Sequence, residues 1–422
     1  MVSDDRGVRR VVGSLIVGVF FGGLGGGVAF PTLPALGPVL GITPLLVGLI
    51  LSMNRFTRLV LNAPAGQILD TVGTRRPMVA GFFLQGVAPF GYVLGLWAGG
   101  GARSAAVFLL ARALWGVGSA FVFVGAFSTV THVTTAENRG RWVGYLRGGQ
   151  SLGFPTGLIT GGLLTDAYGP AVAFTAAGCA GVLAGVVAFF VLPDVSPDVS
   201  TTSRLRDLPA LVRDEPRALA VGGVNLSVRF LFAGVLLSTV VLYAGARGIH
   251  IGLLSAAGVS GVVMAASVVC SSATTLAFGR LSDMLDNRAF ITLPALAALG
   301  VGFAVLALVP TLTGLLAAVA LIGVGIGGTN PPLMAYLGDI TPDDNLGKFG
   351  GVYNTFGDLG ATLGPLVALP FAARFGYDTE YLVCVGIVGL AAVLVFGVLL
   401  GSPPTPNPLR LREEPAETCA DD

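Results

Sequence analysis

Ala113-Leu114-Trp115-Gly116-Val117-Gly118 returns 207 residues later as Ala320-Leu321-Ile322-Gly323-Val324-Gly325. The same offset pairs Asn138 with Asn345, Gly140 with Gly347, Arg141 with Lys348, Gly144 with Gly351, Gly153 with Gly360, Gly157 with Gly364 and Gly169 with Gly376. Of the twelve glycines between 113 and 169, seven meet a glycine partner, where chance would give about two or three. A second offset, 213, joins Gly66-Gln67-Ile68-Leu69-Asp70 to Gly279-Arg280-Leu281-Ser282-Asp283. The chain is therefore read as two copies of one unit.

Each unit is apolar. Of 422 residues, 54% are hydrophobic and 11% charged, and the mean hydropathy is +0.83. A soluble domain is nearer a quarter charged, so most of this surface is expected to face lipid. Twelve apolar runs are long enough to span a bilayer: 11–31, 46–69, 77–98, 104–131, 142–165, 171–192, 218–243, 252–278, 289–309, 312–337, 348–371 and 381–400. The first run has no cleavage site after a short apolar core, so it is read as a membrane helix rather than a signal peptide. The abundant glycine, 63 residues, suits close helix packing in lipid. The expected fold is all-α, twelve transmembrane helices in two six-helix bundles. The bundles occupy 1–192 and 218–400, with a polar linker at 193–217 and a disordered tail at 401–422. Six helices per unit keep both copies in the same orientation, the parallel repeat of a two-bundle transporter.

Basic residues orient the array. Segments on the N-terminal side of the membrane hold sixteen Lys and Arg, among them Arg9, Arg10, Arg75, Arg76, Arg139 and Arg280, and the other side holds only Arg103, Arg247 and Arg374. That asymmetry places both termini in the cytoplasm, on the plasma (inner) membrane. A net charge of +1 gives no reason to expect nucleic acid. Four scattered cysteines and two histidines make no metal or redox motif, so neither a cofactor nor a metal is expected. An enzyme is not expected either, because no cluster of acids, histidines or nucleophiles gathers at the water boundary. Gly323-Val324-Gly325-Ile326-Gly327-Gly328 fits G-x-G-x-x-G but lies inside an apolar run with no preceding strand, so helix packing explains it better than a dinucleotide site.

The motifs resemble those of the major facilitator superfamily, over nearly the whole chain. Gly66-Gln67-Ile68-Leu69-Asp70-Thr71-Val72-Gly73-Thr74-Arg75-Arg76-Pro77 is similar to the family's G-x-L-x-D-R-x-G-R-R loop, departing at Thr71 and Thr74. Arg112-Ala113-Leu114-Trp115-Gly116 resembles its fourth-helix R-x-x-Q-G motif, with Trp115 in place of Gln. Gly153-Phe154-Pro155-Thr156-Gly157 resembles the fifth-helix motif of the antiporter branch, although Leu158 stands where proline is usual. Pro31-Thr32-Leu33-Pro34 after the first span also looks like this family. The resemblance implies a cytoplasmic gate of Gly66, Asp70, Gly73, Arg75 and Arg76, repeated in Gly279 and Asp283, with Asp70 meeting the start of span eleven near Gly347-Lys348. It further implies packing and hinge positions at Gly116, Gly153, Pro155, Gly157, Pro331, Gly364 and Pro365.

Charges inside the spans single out the substrate cavity. Every acidic residue except Asp358 lies in a loop, a tail or at a helix end, while Arg55, Arg58, Arg112, Arg147 and Arg229 lie within spans. Arg147 is near enough to the cytoplasmic end to snorkel. At about 1.5 Å per residue, Arg58 and Arg229 lie roughly 18 Å, and Asp358 roughly 15 Å, from the cytoplasmic edge, with Arg112 roughly 14 Å from the outer edge. An isolated arginine at that depth costs at least ~2.5 kcal/mol, so each needs a wet cavity or a partner. Arg55, Arg58, Asn62 and Gly66 form a polar stripe on span two, and Asn225 and Arg229 one on span seven. Asn330-Pro331-Pro332 is expected to interrupt span ten and free carbonyls toward the cavity. The resemblance, in which spans two and eleven flank the bundle interface, implies Arg58 and Asp358 as a state-dependent ion pair.

The expected activity is secondary active transport of a small organic solute by alternating access. One carboxylate among four deep arginines points to an anionic solute. Two alternatives stand beside it: a drug or multidrug efflux antiporter for neutral or cationic compounds, and a non-transporting sensor on the same fold. A proton gradient is the candidate driving force, and the expected partners are the lipid bilayer and the solute, for a monomer.

Overall fold

The computed structural model describes residues 5–135, 138–192, 215–341 and 346–401. The linker residues 193–214, the tail 402–422 and the side chains at 346–348 lie outside the described residues. Among the described residues twelve long helices follow one another: α1 (Asp5–Val39), α2 (Pro44–Val72), α3 (Arg75–Trp97), α4 (Gly101–Val133), α5 (Arg139–Tyr168), α6 (Pro170–Val191), α7 (Arg217–Ala246), α8 (Ala256–Asp283), α9 (Thr292–Leu308), α10 (Leu312–Ile340), α11 (Leu346–Phe375) and α12 (Tyr377–Leu400). Eleven are long and apolar enough to cross a membrane; the remaining one, α5, carries Arg147, Gln150, Ser151 and many glycines that dilute its apolar content. That composition follows from its place, because α5 packs against α1, α6 and α8.

Within the first half, α1 packs on α5 and α6, α3 on α4 and α6, and α2 on α4. The second half repeats the scheme: α7 packs on α11, α9 on α10 and α12, and α8 on α10. The repeat also appears in the backbone. Gly169 and Gly376, 207 residues apart, both take positive φ (86° and 83°) in the one-residue turns before α6 and α12. Only glycine enters that region without strain.

Close backbone contact is built from missing side chains. A Cβ on Gly153 or Gly157 would stand 2.1 Å from the Phe20 or Leu24 carbonyl oxygen, so α1 and α5 can touch only with glycine there. Gly234 of α7 and Gly364 of α11 meet the same way.

Three features of the helices differ from expectation. Pro31-Thr32-Leu33-Pro34 does not follow the first helix: α1 runs on to Val39 with Pro31, Pro34 and Pro38 inside it. Asn330-Pro331-Pro332 does not interrupt span ten: α10 continues through both prolines to Ile340. In a lipid-embedded bundle, neighbouring helices and local adjustment accommodate the carbonyls that proline frees, so proline is a weaker stop there than in water. Conversely, α7 widens into a π-helical turn over Phe230–Leu236, directly after Arg229, where no proline signals it.

Candidate functional site

The two halves meet chiefly along two seams, α2 with α11 and α5 with α8, with α1 also touching the end of α7 and α8. Both are tight only on the face opposite the N-terminus. In the first, Gly48 would carry a Cβ 2.4 Å from the Pro365 carbonyl oxygen, and Ser52 donates to the Thr362 carbonyl at 2.5 Å. In the second, Gly162 abuts the Ala257 carbonyl and Gly261 abuts that of Leu158. Toward the N-terminal face the seams part. Gly144 and Gly148 share the helical face of Leu158 and Gly162, yet nothing lies within 4 Å of a Cβ at either, and the same holds at Gly350 and Gly351 of α11. The later turns of α8 are likewise open, with Val269 59% and Leu276 70% exposed. A cavity between the halves thus opens on the N-terminal face and closes at mid-membrane.

Arginines form its closed end. Arg58 Nη2 donates to Asp358 Oδ1 at 2.6 Å, an ion pair across the α2–α11 seam. One turn away, Arg55 crosses the same seam and donates to the Ala361 carbonyl at 3.1 Å and the Ala233 carbonyl at 3.4 Å. Ala233 lies in the π-helical turn, which leaves carbonyls off the regular ladder. The pair expected from the sequence is formed, and Arg58 also lies 5.5 Å from the centre of the half-exposed Phe123 ring.

Arg229 is different. Its stem passes beside Gly357, and its half-buried guanidinium has no hydrogen bond or ion pair among the described residues. Asn225 is buried and donates to the Tyr353 carbonyl at 2.7 Å, and Tyr353 donates to Asn330 Oδ1 at 2.5 Å. Asn225 and Asn330 thus brace α11 from two sides. Asn62 Oδ1 and Arg58 Nε are buried atoms without a hydrogen-bond partner.

Arg112 corrects one expectation: it does not line the cavity. It is fully buried inside the first half, donating to the Ile50 and Leu51 carbonyls at 3.3 and 3.2 Å and to Asn54 Oδ1 at 3.0 Å. Its turn of α4 packs onto α2, where Gly116 brings the backbones together. Two of its guanidinium nitrogens bond to α2 while Nη1 has no hydrogen-bond partner, and Arg55 and Arg112 lie 5.7 and 6.0 Å from the centre of the Phe30 ring.

On the N-terminal face, Gly73 caps α2 with φ 86° and donates to the Leu69 carbonyl. Arg75 donates to the Phe189 carbonyl of α6 at 2.8 Å, and Arg76 is exposed. Asp70 is half-buried, and its expected contact near Gly347-Lys348 lies outside the described residues. Asp283 accepts from Arg288 of its own half, which also reaches Asp339 at 3.0 Å. Gly279 faces Pro331 of the same half.

Two acids escaped the sequence reading. Asp166, in the last turn of α5, reaches across to Ser255 before α8. Glu380, in the first turn of α12, is 4% exposed and neither carboxyl oxygen has a hydrogen-bond partner. The signal for Asp166 was available, since a carboxylate at a helix C-terminus opposes that helix's dipole and needs another partner. Among the described residues no group of three or more His, Cys, Asp or Glu comes together.

The family model for the Major Facilitator Superfamily matches residues 15–270 and 253–420. An uncharacterized MFS-type transporter of Methanocaldococcus jannaschii is 32% identical over 165 residues, 38% of this chain and 40% of that protein. The similarity therefore spans about two-fifths of that relative's length. Multidrug resistance protein 2 of Bacillus subtilis is 22% identical over 391 residues, 90% of this chain and 94% of that protein. A bacterial homolog to the human lysosomal transporter Spinster, solved in an inward-facing and occupied conformation, has a TM-score of 0.76 at 15% identity, covering 94% of this chain and 98% of that one. At that identity the likeness is one of fold.

Proposed function

We propose, from the premise that this chain belongs to the major facilitator superfamily, that it is a secondary transporter exporting small drug-like organic compounds by alternating access. The observation that carries this is the pair of inter-half seams, shut on one face and parted on the other, with a layer of charged groups at the meeting point. Such a layer is where a solute would bind if the halves rock about it. Multidrug resistance protein 2 matches nearly the whole length of the chain, which favours efflux over uptake of a metabolite.

In this account 1–192 and 218–400 are the moving bundles and 193–217 joins them. The N-terminal face is cytoplasmic, as the basic residues indicate, so the conformation is inward-open. Arg55, Arg58, Asn62, Arg229 and Asp358 bound the site, and Asn225 and Asn330 hold its wall. Gly66, Asp70, Gly73, Arg75, Arg76, Gly279 and Asp283 belong to the cytoplasmic gate. The protein works as a monomer, with a proton gradient as the driving force.

A second reading, that the cargo carries an anionic group, is favoured by Arg229. A cation within the membrane and without an ion-pair partner is costly unless a ligand's charge offsets it. The cationic end also disfavours organic cations by Coulomb repulsion. A thermal-shift screen of the purified protein against matched anionic, neutral and cationic drugs separates the readings. Efflux of amphiphiles predicts stabilisation by neutral or acidic drugs. A protein stabilised by none of them, or by hydrophilic metabolites alone, contradicts the proposal.

A further inference from the structure

The outermost layer of the α5–α8 seam is polar. Asp166 Oδ2 accepts the Ser255 backbone N–H at 2.6 Å, and Oδ1 accepts the Ser255 hydroxyl. Ser255 is the residue from which α8 starts, and its hydroxyl does not cap its own helix. The carboxylate stands over the first turn of α8, since a Cβ on Gly258 would lie 2.6 Å from Oδ2. A residue of one half therefore caps a helix of the other.

The energetics of this cap depend on conformation. The first turn of a helix presents unpaired N–H groups and the positive end of its dipole, and a carboxylate there is stabilising. The last turn presents the negative end, and Asp166 occupies the last turn of α5. With the seam shut, the α8 terminus compensates the unfavourable α5 terminus. With the seam parted, Asp166 keeps only the unfavourable end, and the start of α8 loses its cap. Beneath the cap, Gly162, Ala257 and Gly261 let the helices approach closely enough for the carboxylate to reach.

We propose that Asp166 is the latch of the face opposite the N-terminus: it holds the two halves together there and must release for the site to open on that side. The inference rests on the halves rocking, though not on which compound is carried.

The test reads the gap directly. Spin labels go on Trp97→Cys in the first half and Leu308→Cys in the second, both exposed at the ends of α3 and α9 on this face, helices that carry neither Asp166 nor Ser255. The native cysteines are replaced by serine. Double electron–electron resonance on the full chain in nanodiscs then gives the ratio of long to short distances. Asp166→Ala is expected to raise that ratio about 2- to 30-fold, the population equivalent of losing one helix cap. Asp166→Asn keeps the size and an amide oxygen for the Ser255 N–H, so it should raise the ratio less. Asp378→Ala is the control, because Asp378 pairs with Arg247 inside one half. An unchanged ratio in Asp166→Ala overturns the latch, and so does an equal rise in the control. Transport is measured separately, so failure of the efflux proposal would leave this result intact.

Discussion

Replacing Asp358 by asparagine removes the carboxylate from the contact that closes the cavity. The side chains of Arg58 and Asp358 are 21% and 24% exposed, so the pair is neither fully buried nor screened like a surface bridge. Breaking a buried pair costs about 3–5 kcal/mol, and an exposed one contributes about 0–1 kcal/mol. The intermediate exposure places this contact at about 1–3 kcal/mol. The two residues lie on different halves, so the loss falls on the conformation shut on the face opposite the N-terminus. That conformation should give way to its alternative by a factor of about 5 to 150. Ser52 provides the reporter: it is 1% exposed and donates across the same seam, so Ser52→Cys is sealed while the seam is shut. A membrane-impermeant thiol reagent applied from that side, to protein whose other cysteines are replaced, should label Ser52→Cys faster by that factor when Asp358 is asparagine. The charge swap Arg58→Asp with Asp358→Arg should bring the rate back toward the starting value. An unchanged rate in Asp358→Asn would refute the reasoning, as would a swap that labels as fast as the single variant.

Arg112 and Arg229 should separate stability from binding. Arg112→Ala removes a fully buried side chain with three hydrogen bonds, so it should lower Tm markedly, at a cost of about 2–5 kcal/mol, and leave ligand affinity of the folded fraction unchanged. Arg229→Ala should keep Tm and weaken acidic drugs relative to neutral analogues by about tenfold, as read by calorimetry. Gly157→Leu would drive a side chain into the Leu24 carbonyl, and the resulting separation of α1 from α5 should appear as lost monodisperse protein in size-exclusion chromatography. At the start of α7, the hydrogen bond from Arg217 holds the Glu215 carboxyl below its usual range. Its contribution is therefore present at neutral pH and lost as pH falls through the depressed value, so the protection factors at 217–219, exchange rates corrected for their intrinsic slowing with acid, should drop on acidification, with no such step in Glu215→Gln.

The helices were legible because charge is so scarce, the repeat because glycines recur at one offset, and the Arg58–Asp358 pair because each intramembrane charge stands out and the family resemblance sets spans two and eleven side by side. Depth along a helix follows from counting residues, and Arg58 and Asp358 were placed at the same level that way. The direction a side chain takes around the helix does not follow from counting. Arg112 has nearly the same depth but points into its own half, where it bonds to α2 carbonyls. The prolines misled for a related reason: rules learned from water overstate proline as a helix stop, and both Pro31 and Pro331 sit inside helices. Asp166 was passed over because it lies at a helix end, where an acid needs no explanation until the helix dipole is considered. The π-helical turn of α7 left no mark in its apolar sequence, Phe230-Leu231-Phe232-Ala233-Gly234-Val235-Leu236.

The central claim is that the site is reached from one side and then from the other. Its most direct measurement is movement of norfloxacin and ethidium, an acidic zwitterion and a cation, in proteoliposomes of the purified chain under an imposed pH gradient. The account predicts norfloxacin movement above that of empty liposomes, collapsing with a protonophore, much reduced by Arg229→Ala, and exceeding that of ethidium. Saturable binding of norfloxacin with no movement in either direction would contradict it and identify the protein as a sensor on a transporter fold.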